Sequence, residues 1–181
     1  MRAQVLCVLL LLCTATTTQA NWAGEIKLDK SKGFAYTLPE RATVVSVGKN
    51  QHDLIALASD DGRNRSIVIT DQPGTSTFPK LQKIYERDLA KALKDFELIS
   101  SELVELRNKR KAIKIVHTNT MPGIPIRQIN YILEVGAKRY FVACTVMKSD
   151  GDKYDQAFEA FVTSIAEPEA PKEGRDAGIT Q

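Results

Sequence analysis

Few side chains in this sequence belong to the types that carry out nucleophilic chemistry. The 181 residues include two histidines and three cysteines, and two of the cysteines lie within the first 13 positions. The third, Cys144, and His117 fall in separate strand-like runs, so a Cys–His nucleophile pair on neighbouring strands is one hypothesis. A cysteine inside an apolar strand is more often an inert small hydrophobic residue. We therefore predict no catalytic residue.

Metal and cofactor sites have recognisable spacings that this sequence lacks. It contains no C-x-x-C, H-x-x-x-H or HExxH motif, no Gly-rich phosphate loop and no G-x-S-x-G elbow. Residues 150–155 superficially resemble a calcium loop but lack the third alternating ligand and the distal glutamate of an EF-hand. Asp150 or Asp152 is better explained as the N-cap of a following helix. We predict neither a metal nor a cofactor.

A basic segment is the first candidate for contact with a partner. Arg107, Lys109, Arg110 and Lys111 form the densest charge cluster in the chain. Such a loop can meet an acidic protein or, weakly, an anionic lipid surface, although short charge runs are usually solvated hairpin loops. The formal net charge of only +3 and the lack of interleaved aromatic residues argue against nucleic acid as the partner.

A proline-flanked turn is the second candidate. Residues 121–125 contain two prolines, which restrict the backbone, and a glycine between them. Met121 and Ile124 either protrude from this tip as an apolar contact surface or pack against the end of the sheet.

The first twenty residues have the pattern of a secretory signal peptide. Arg2 precedes an apolar run at positions 5–13, and residues 18–20 end in Ala20 as a cleavage site. That run has nine residues, whereas a spanning helix needs about 20, so we predict no transmembrane segment in the mature chain. Leu11 and Leu12 precede Cys13 where a lipoprotein signal has small residues. We expect a periplasmic or secreted protein with one thiol and no internal disulfide.

The hydrophobic periodicity predicts one α+β domain. Apolar residues at helical spacing predict an amphipathic helix at 78–95, capped by Ser76 or Thr77, and a second helix near 154–165. Shorter apolar runs predict strands at 34–38, 43–45, 54–58, 66–70, 98–106, 112–119, 126–135 and 139–147. The last four strands have short connections and must form an antiparallel meander. We assign residues 21–166 to the domain and residues 167–181 to a disordered acidic tail.

Three segments carry a resemblance to a known family. They are the glycine–aromatic–x–aromatic–x–x–proline start at 33–39, the end of the meander at 139–145, and the closing helix with Tyr154, Phe158, Phe161 and Ile165. Over about residues 30–166 the chain resembles the PsbP/DcrB-like α/β/α sandwich family. The resemblance implies an antiparallel β-sheet flanked by helices and an envelope or luminal accessory protein without enzymatic activity.

We therefore expect a secreted, non-catalytic accessory protein of the cell envelope that acts through contacts with an unidentified protein partner. A small-molecule or lipid carrier, with its ligand held between sheet and helix, is the alternative. A hydrolase with a dispersed site is a third hypothesis, because a fold does not specify a function.

Overall fold

The computed structural model describes residues 26–29, 33–39, 41–46, 53–57 and 65–168. The predicted signal peptide, the second histidine, His52, and all but the first two residues of the predicted tail lie outside these residues. The strands are β1 (Ile26–Asp29), β2 (Phe34–Thr37), β3 (Ala42–Ser46), β4 (Asp53–Leu57), β5 (Arg65–Asp71), β6 (Glu97–Glu105), β7 (Lys111–Met121), β8 (Ile124–Val135) and β9 (Lys138–Met147). The helices are α1 (Phe78–Ala92) and α2 (Asp155–Ser164). None of the helices in the described ranges is long and apolar enough to cross a membrane.

A seven-stranded antiparallel sheet organises the domain, with the strand order β3-β4-β5-β9-β8-β7-β6. Strands β6 to β9 are consecutive neighbours, which confirms the predicted meander. Pro122 and Gly123 alone connect β7 to β8, because Met121 pairs directly with Ile124 and Gly123 has a φ of +81°. A proline followed by a residue with positive φ is the pattern of a type II turn. The tight turn fixes the register of β7 on β8.

The two faces of the sheet are covered by different elements. Helix α2 and strand β2 cover one face, where Phe158, Phe161 and Phe34 are fully buried or nearly so. Helix α1 covers the other face through Leu81, which packs on Ile113, Ile115 and Ile132. The arrangement confirms the predicted α/β/α sandwich in the α+β class. We refer to these surfaces as the α2 face and the α1 face.

Helix α1 is a thinner layer than α2. It ends three residues earlier than predicted, at Ala92, and Leu81 is its only buried residue. Thr77 occupies the N-cap position as expected, but its side chain makes no capping hydrogen bond. Tyr85 stacks on Phe141 of β9 with ring centroids 5.2 Å apart.

The start of α2 is held by ion pairs and not by the predicted caps. Tyr154 occupies the N-cap position and makes no side-chain capping bond, so the prediction of Asp150 or Asp152 as the cap was wrong. Asp150 instead accepts two 3.2 Å hydrogen bonds from the buried guanidinium of Arg65 on β5. Asp155 accepts bonds of 2.6 and 2.8 Å from Arg127 on β8. Pairing with a buried arginine outweighs capping of the helix here, because each carboxylate neutralises a guanidinium that has been removed from water.

The first and last parts of the described domain meet at one bridge. Ala35 and Ala166 exchange two backbone hydrogen bonds of 2.9 Å. Strand β1 also pairs with β2 to form a separate two-stranded sheet that the sequence analysis did not predict. Its four residues, IKLD, alternate apolar and polar types but form only a short run within a polar stretch.

The Arg127–Asp155 pair gives a test of these contacts. The Asp155→Ala variant leaves Arg127 unpaired with only 10% of its side chain exposed, so we expect the free energy of unfolding to fall by about 3 kcal/mol. Urea denaturation measures this change, and an Arg127→Met/Asp155→Leu double variant should recover most of it. Asp88→Ala breaks an exposed pair with Arg87 and should cost far less, because water screens such a pair. Equal losses in D155A and D88A would contradict the assignment.

Candidate functional site

The structure separates the two side chains of the nucleophile hypothesis. Cys144 lies on β9 opposite Ile67 and Ile129 and belongs to the core of the α2 face. His117 lies on β7, with β8 between the two strands, and its ring lies 5.1 Å from that of Phe96, just beyond the end of α1. The two residues therefore point to opposite faces of the sheet, and the hypothesis of a Cys144–His117 pair was wrong.

Burial also suppresses the reactivity of the groups on the α2 face. Cys144 is fully buried, and desolvation raises the pKa of its thiol well above the usual value. Desolvation likewise raises the pKa of the neighbouring Tyr131 hydroxyl, which has no hydrogen-bond partner among the described residues. At neutral pH neither group supplies an anionic nucleophile.

A buried polar cluster lies on the α1 face around His117. Asn130 Nδ2 lies 2.9 Å from Nε2 of His117, and Asn119 Nδ2 lies 3.3 Å from Nδ1. Asn119 Nδ2 also donates to Gln128 Oε1 at 3.1 Å, and Gln128 in turn donates to Thr145 Oγ1 at 2.9 Å. His117 and both asparagines are buried.

The hydrogen bonds of this cluster select one form of the imidazole. Burial lowers the pKa of His117 to about 4, so the ring is neutral at pH 7 and has one N–H and one acceptor nitrogen. The Nδ2 amide of Asn119 donates one hydrogen to Gln128 Oε1 and directs the other at His117 Nδ1, so Nδ1 is the acceptor nitrogen of the ring. The Nε2–H must then meet an oxygen, which Asn130 supplies by turning its carboxamide through 180°. The cluster is a buried, neutral network with a structural role, in which Oδ1 of Asn119 and, before this rotation, Oδ1 of Asn130 have no partner among the described residues.

The basic hairpin between β6 and β7 is partly built into the fold. Arg110 donates to the carbonyl oxygens of Thr163, at 3.0 Å, and of Ile165, and Asn108 donates to that of Thr163 at 2.7 Å. These carbonyls belong to the end of α2, where helices leave acceptors unpaired and carry partial negative charge. Arg110 therefore stabilises the C-terminus of α2.

The other three bases of this hairpin remain on the surface. Arg107, Lys109 and Lys111 are exposed, and Lys109 lies 3.2 Å from Glu105 while Arg107 lies 4.0 Å from Glu159. These carboxylates reduce the local positive charge that an anionic surface would meet. The hairpin is therefore less basic as a surface than its sequence indicates.

Two shallow pockets lie at the same end of the sheet. A pocket of about 440 Å³ lies between the end of β5 and the β8–β9 turn, and one of about 350 Å³ adjoins it near Arg110. Both are lined by Glu134 and Arg139. Arg139 donates to Glu134 at 2.5 Å and to the Ser76 carbonyl oxygen at 2.9 Å, so these donors serve the fold.

The apolar tip protrudes at the opposite end of the sheet. Met121 is 45% and Ile124 is 47% exposed, so neither packs against the sheet. Strand β6 starts near this end, since Glu97 pairs with Thr118, and it adds the exposed Leu98 and Ile99. We call these four residues, Leu98, Ile99, Met121 and Ile124, the apolar end.

The two candidate surfaces cannot form one contact. Lys111 and Met121 are the first and last residues of β7, and ten residue steps in a strand span about 33 Å.

Sequence analysis identified Met121 and Ile124 but missed Leu98 and Ile99, because the run at 98–106 looks like a half-buried strand. The missed signal was its three glutamates, which are typical of an edge strand.

Comparison with known proteins identifies the fold. No model of a protein family matches the chain, and no curated protein matches it. The structure superposes on PA94 from Pseudomonas aeruginosa, a protein of unknown function, with a TM-score of 0.58 at 14% identity, covering 81% of this chain and 98% of that one. Cyanobacterial PsbP (CyanoP) from Synechocystis gives 0.58 at 14% identity, covering 79% and 92%. LpqN of Mycobacterium tuberculosis, described as involved in cell envelope biogenesis, gives 0.54 at 11% identity, covering 80% and 90%.

These similarities confirm the PsbP/DcrB-like fold that the sequence predicted. At such low identities they define the architecture alone, because one fold hosts many functions.

The His117 cluster predicts how stability depends on pH. Because the folded pKa of about 4 lies below the unfolded value of 6.5, the unfolded chain binds the extra proton between these pH values and stability falls as the pH falls. We expect this residue alone to remove about 2 kcal/mol between pH 7 and pH 5. Urea denaturation at both pH values should show a smaller loss for His117→Gln than for the wild type. His52→Gln is the control, and an unchanged loss in H117Q would refute the buried neutral ring.

Arg110 is expected to matter more for stability than its exposed neighbour. Arg110→Met removes the donor to the last carbonyls of α2 and should lower the free energy of unfolding by about 1–2 kcal/mol. Lys109→Met, at a residue with a well-exposed side chain, should change it by less than about 0.5 kcal/mol. Thermal or urea unfolding of both variants provides the comparison. A loss in K109M as large as that in R110M would be the contrary result.

Proposed function

We propose that this chain is an exported, non-catalytic accessory protein of the cell envelope that acts by binding another protein. The observation that carries the proposal is the apolar end, where four large apolar side chains are exposed on neighbouring strands near one end of the sheet. Exposed apolar side chains that gather in one place commonly mark a contact surface. The exposed apolar residues of a purely structural surface are usually scattered singly.

The chemistry of the remaining residues supports binding over catalysis. The thiol of Cys144 and the hydroxyl of Tyr131 are buried with raised pKa values, and His117 lies on the other face of the sheet in a buried hydrogen-bond network. In the described part of the chain, no group of three or more His, Cys, Asp or Glu side chains is placed to hold a metal ion. None of the three side chains Cys144, Tyr131 and His117 is an activated nucleophile with a base beside it.

The predicted signal peptide and one similar structure support a place in the cell envelope. Residues 1–20 carry the charge, the apolar run and the small final residue of a cleaved signal. LpqN, which shares the fold, is described as involved in cell envelope biogenesis. A periplasmic or secreted location follows from the signal peptide, and the fold is compatible with it.

The basic hairpin is the second candidate contact. Its exposed residues Arg107, Lys109 and Lys111 could meet an acidic partner or an anionic lipid surface, with Arg110 holding the loop against α2. We favour the apolar end, because burying its side chains brings a gain without the cost of desolvating charges.

Photocrosslinking in the native host tests the proposal. A photoreactive amino acid at Ile124 should yield a discrete product with one envelope protein, whereas the same group at Lys91, on the exposed side of α1, should yield none. A Met121→Lys change should abolish the Ile124 product. The intact mass of the purified protein should equal that of a chain that begins at Asn21. A third probe at Lys109 tests the basic hairpin. Products from Lys109 alone, or from no position, would contradict the apolar end as the binding surface.

A further inference from the structure

Strand β6 is an edge of the large sheet, and its outer side pairs with no described residue. The Leu106 N–H donates to the Arg110 carbonyl oxygen at 2.8 Å, so Leu106 directs its backbone groups towards the following strand. In an antiparallel pair this orientation alternates along the strand. Ser101, Leu103 and Glu105 therefore direct their N–H and C=O groups outwards, while Ser100, Glu102 and Val104 bond to β7.

The outer side of β6 lacks two of the usual protections against a further strand, lysine and proline, although it carries three glutamates. Natural edges are commonly blocked by lysine, proline, bulges or a covering element. Here the sequence ELISSELVE contains neither lysine nor proline, and the only irregularity is the bulge between Leu98 and Ser100. Beyond that bulge the pairing with β7 is regular up to Glu105. A stretch of five residues, 101–105, is thus open to strand addition.

The two faces of this edge differ at its centre, although Glu105 shares the face of Leu103 and Val104 shares that of Glu102. Leu103 is 52% exposed on the α1 face, opposite Ile113, whereas Glu102 lies on the α2 face, opposite Lys114. Helix α1 borders the edge, because Gln82 donates to Ser101 Oγ at 2.9 Å. An added strand that matches both faces would place apolar side chains beside Leu103 and basic side chains beside Glu102.

The charge of β6 bears on which proteins could pair here. Strand β6 carries Glu97, Glu102 and Glu105 and no basic residue. Antiparallel pairing with a second copy, centred on Ser101, would bring Glu97 opposite Glu105, and like charges directly opposite destabilise a sheet. The segment 167–181 of this chain has four acidic and two basic residues and two prolines, so it also fits poorly.

We propose that the outer edge of β6 binds an extended segment of a partner protein by strand addition, and that this segment alternates apolar and basic residues. The backbone hydrogen bonds of the added strand provide binding, and its alternate side chains provide specificity. This inference rests on the proposed function, since it names the partner's binding mode beside the apolar end, which already includes Leu98 and Ile99.

Amide hydrogen exchange with a synthetic peptide tests the strand addition. The probe is an acetylated and amidated heptapeptide of alternating lysine and valine, and the control peptide has glutamate in place of lysine. Saturating lysine peptide should slow exchange at least about tenfold at the outward amides of Ser101, Leu103 and Glu105. The amides of Ser100, Glu102 and Val104, which already bond within the sheet, should change little. No slowing at the outward amides, or equal slowing with the glutamate peptide, would overturn the proposal.

Variants on both edges of the sheet provide matched controls. Leu103→Lys and Glu102→Lys should each weaken binding of the lysine peptide at least about tenfold in calorimetry. Val44→Lys, on the opposite edge strand β3, should leave binding unchanged. Equal weakening by V44K would overturn the proposal in favour of non-specific binding. Exchange at the outward amides that slows with rising protein concentration, in the absence of peptide, would overturn it in favour of self-pairing. A negative peptide result together with a crosslink from Ile124 would reject strand addition and retain the proposed function.

Discussion

Strands β8 and β9 bury side chains on both of their faces, and the rest of the structure depends on this two-sided burial. Tyr131 and Val142 face α2, whereas Ile132 and Phe141 face α1. A sheet whose centre is apolar on both sides needs a covering layer on each, because an uncovered apolar face costs free energy in proportion to its area. Helices α1 and α2 supply these layers. The outer strands β3 and β6 receive less cover, and five of the exposed large apolar side chains lie on them.

The polar cluster around His117 adds a constraint on strand register. Its network joins β7, β8 and β9 through Asn130, Gln128 and Thr145, and these partners meet only in the observed pairing. A slip of one residue would turn His117 towards the phenylalanines of the α2 face and leave its ring nitrogens without partners. Apolar strands alone would tolerate such a slip better. The buried polar groups thus specify the alignment of the central strands at some cost in desolvation.

The sequence predicted the elements and their adjacency well, for physical reasons. Helical spacing at Leu81, Tyr85 and Leu89 and the short links between β6 and β9 depend only on nearby residues. The faces occupied by His117 and Cys144 depend on register, and hence on the exact length of each turn. Pro122–Gly123 and Gly136–Ala137 are two-residue turns, and the register that they set places His117 and Cys144 on opposite faces. The lengths of these two turns are the signal in the sequence that separates the two side chains. The pairing of Arg65 with Asp150 spans 85 residues, and no local pattern reveals it.

The bridge between Ala35 and Ala166 has a topological consequence. The two residues exchange backbone hydrogen bonds, so the domain between them forms a closed loop of chain whose two ends lie side by side. Chain that precedes Phe34 and chain that follows Ala166 therefore join the domain at neighbouring points. A pull on both ends would load this bridge, and the neighbouring 3.0 Å bond from the Thr37 N–H to Ser164 Oγ, before it loads the seven-stranded sheet. The same proximity makes the domain a natural subject for circular permutation, with new ends at the exposed Pro122–Gly123 turn.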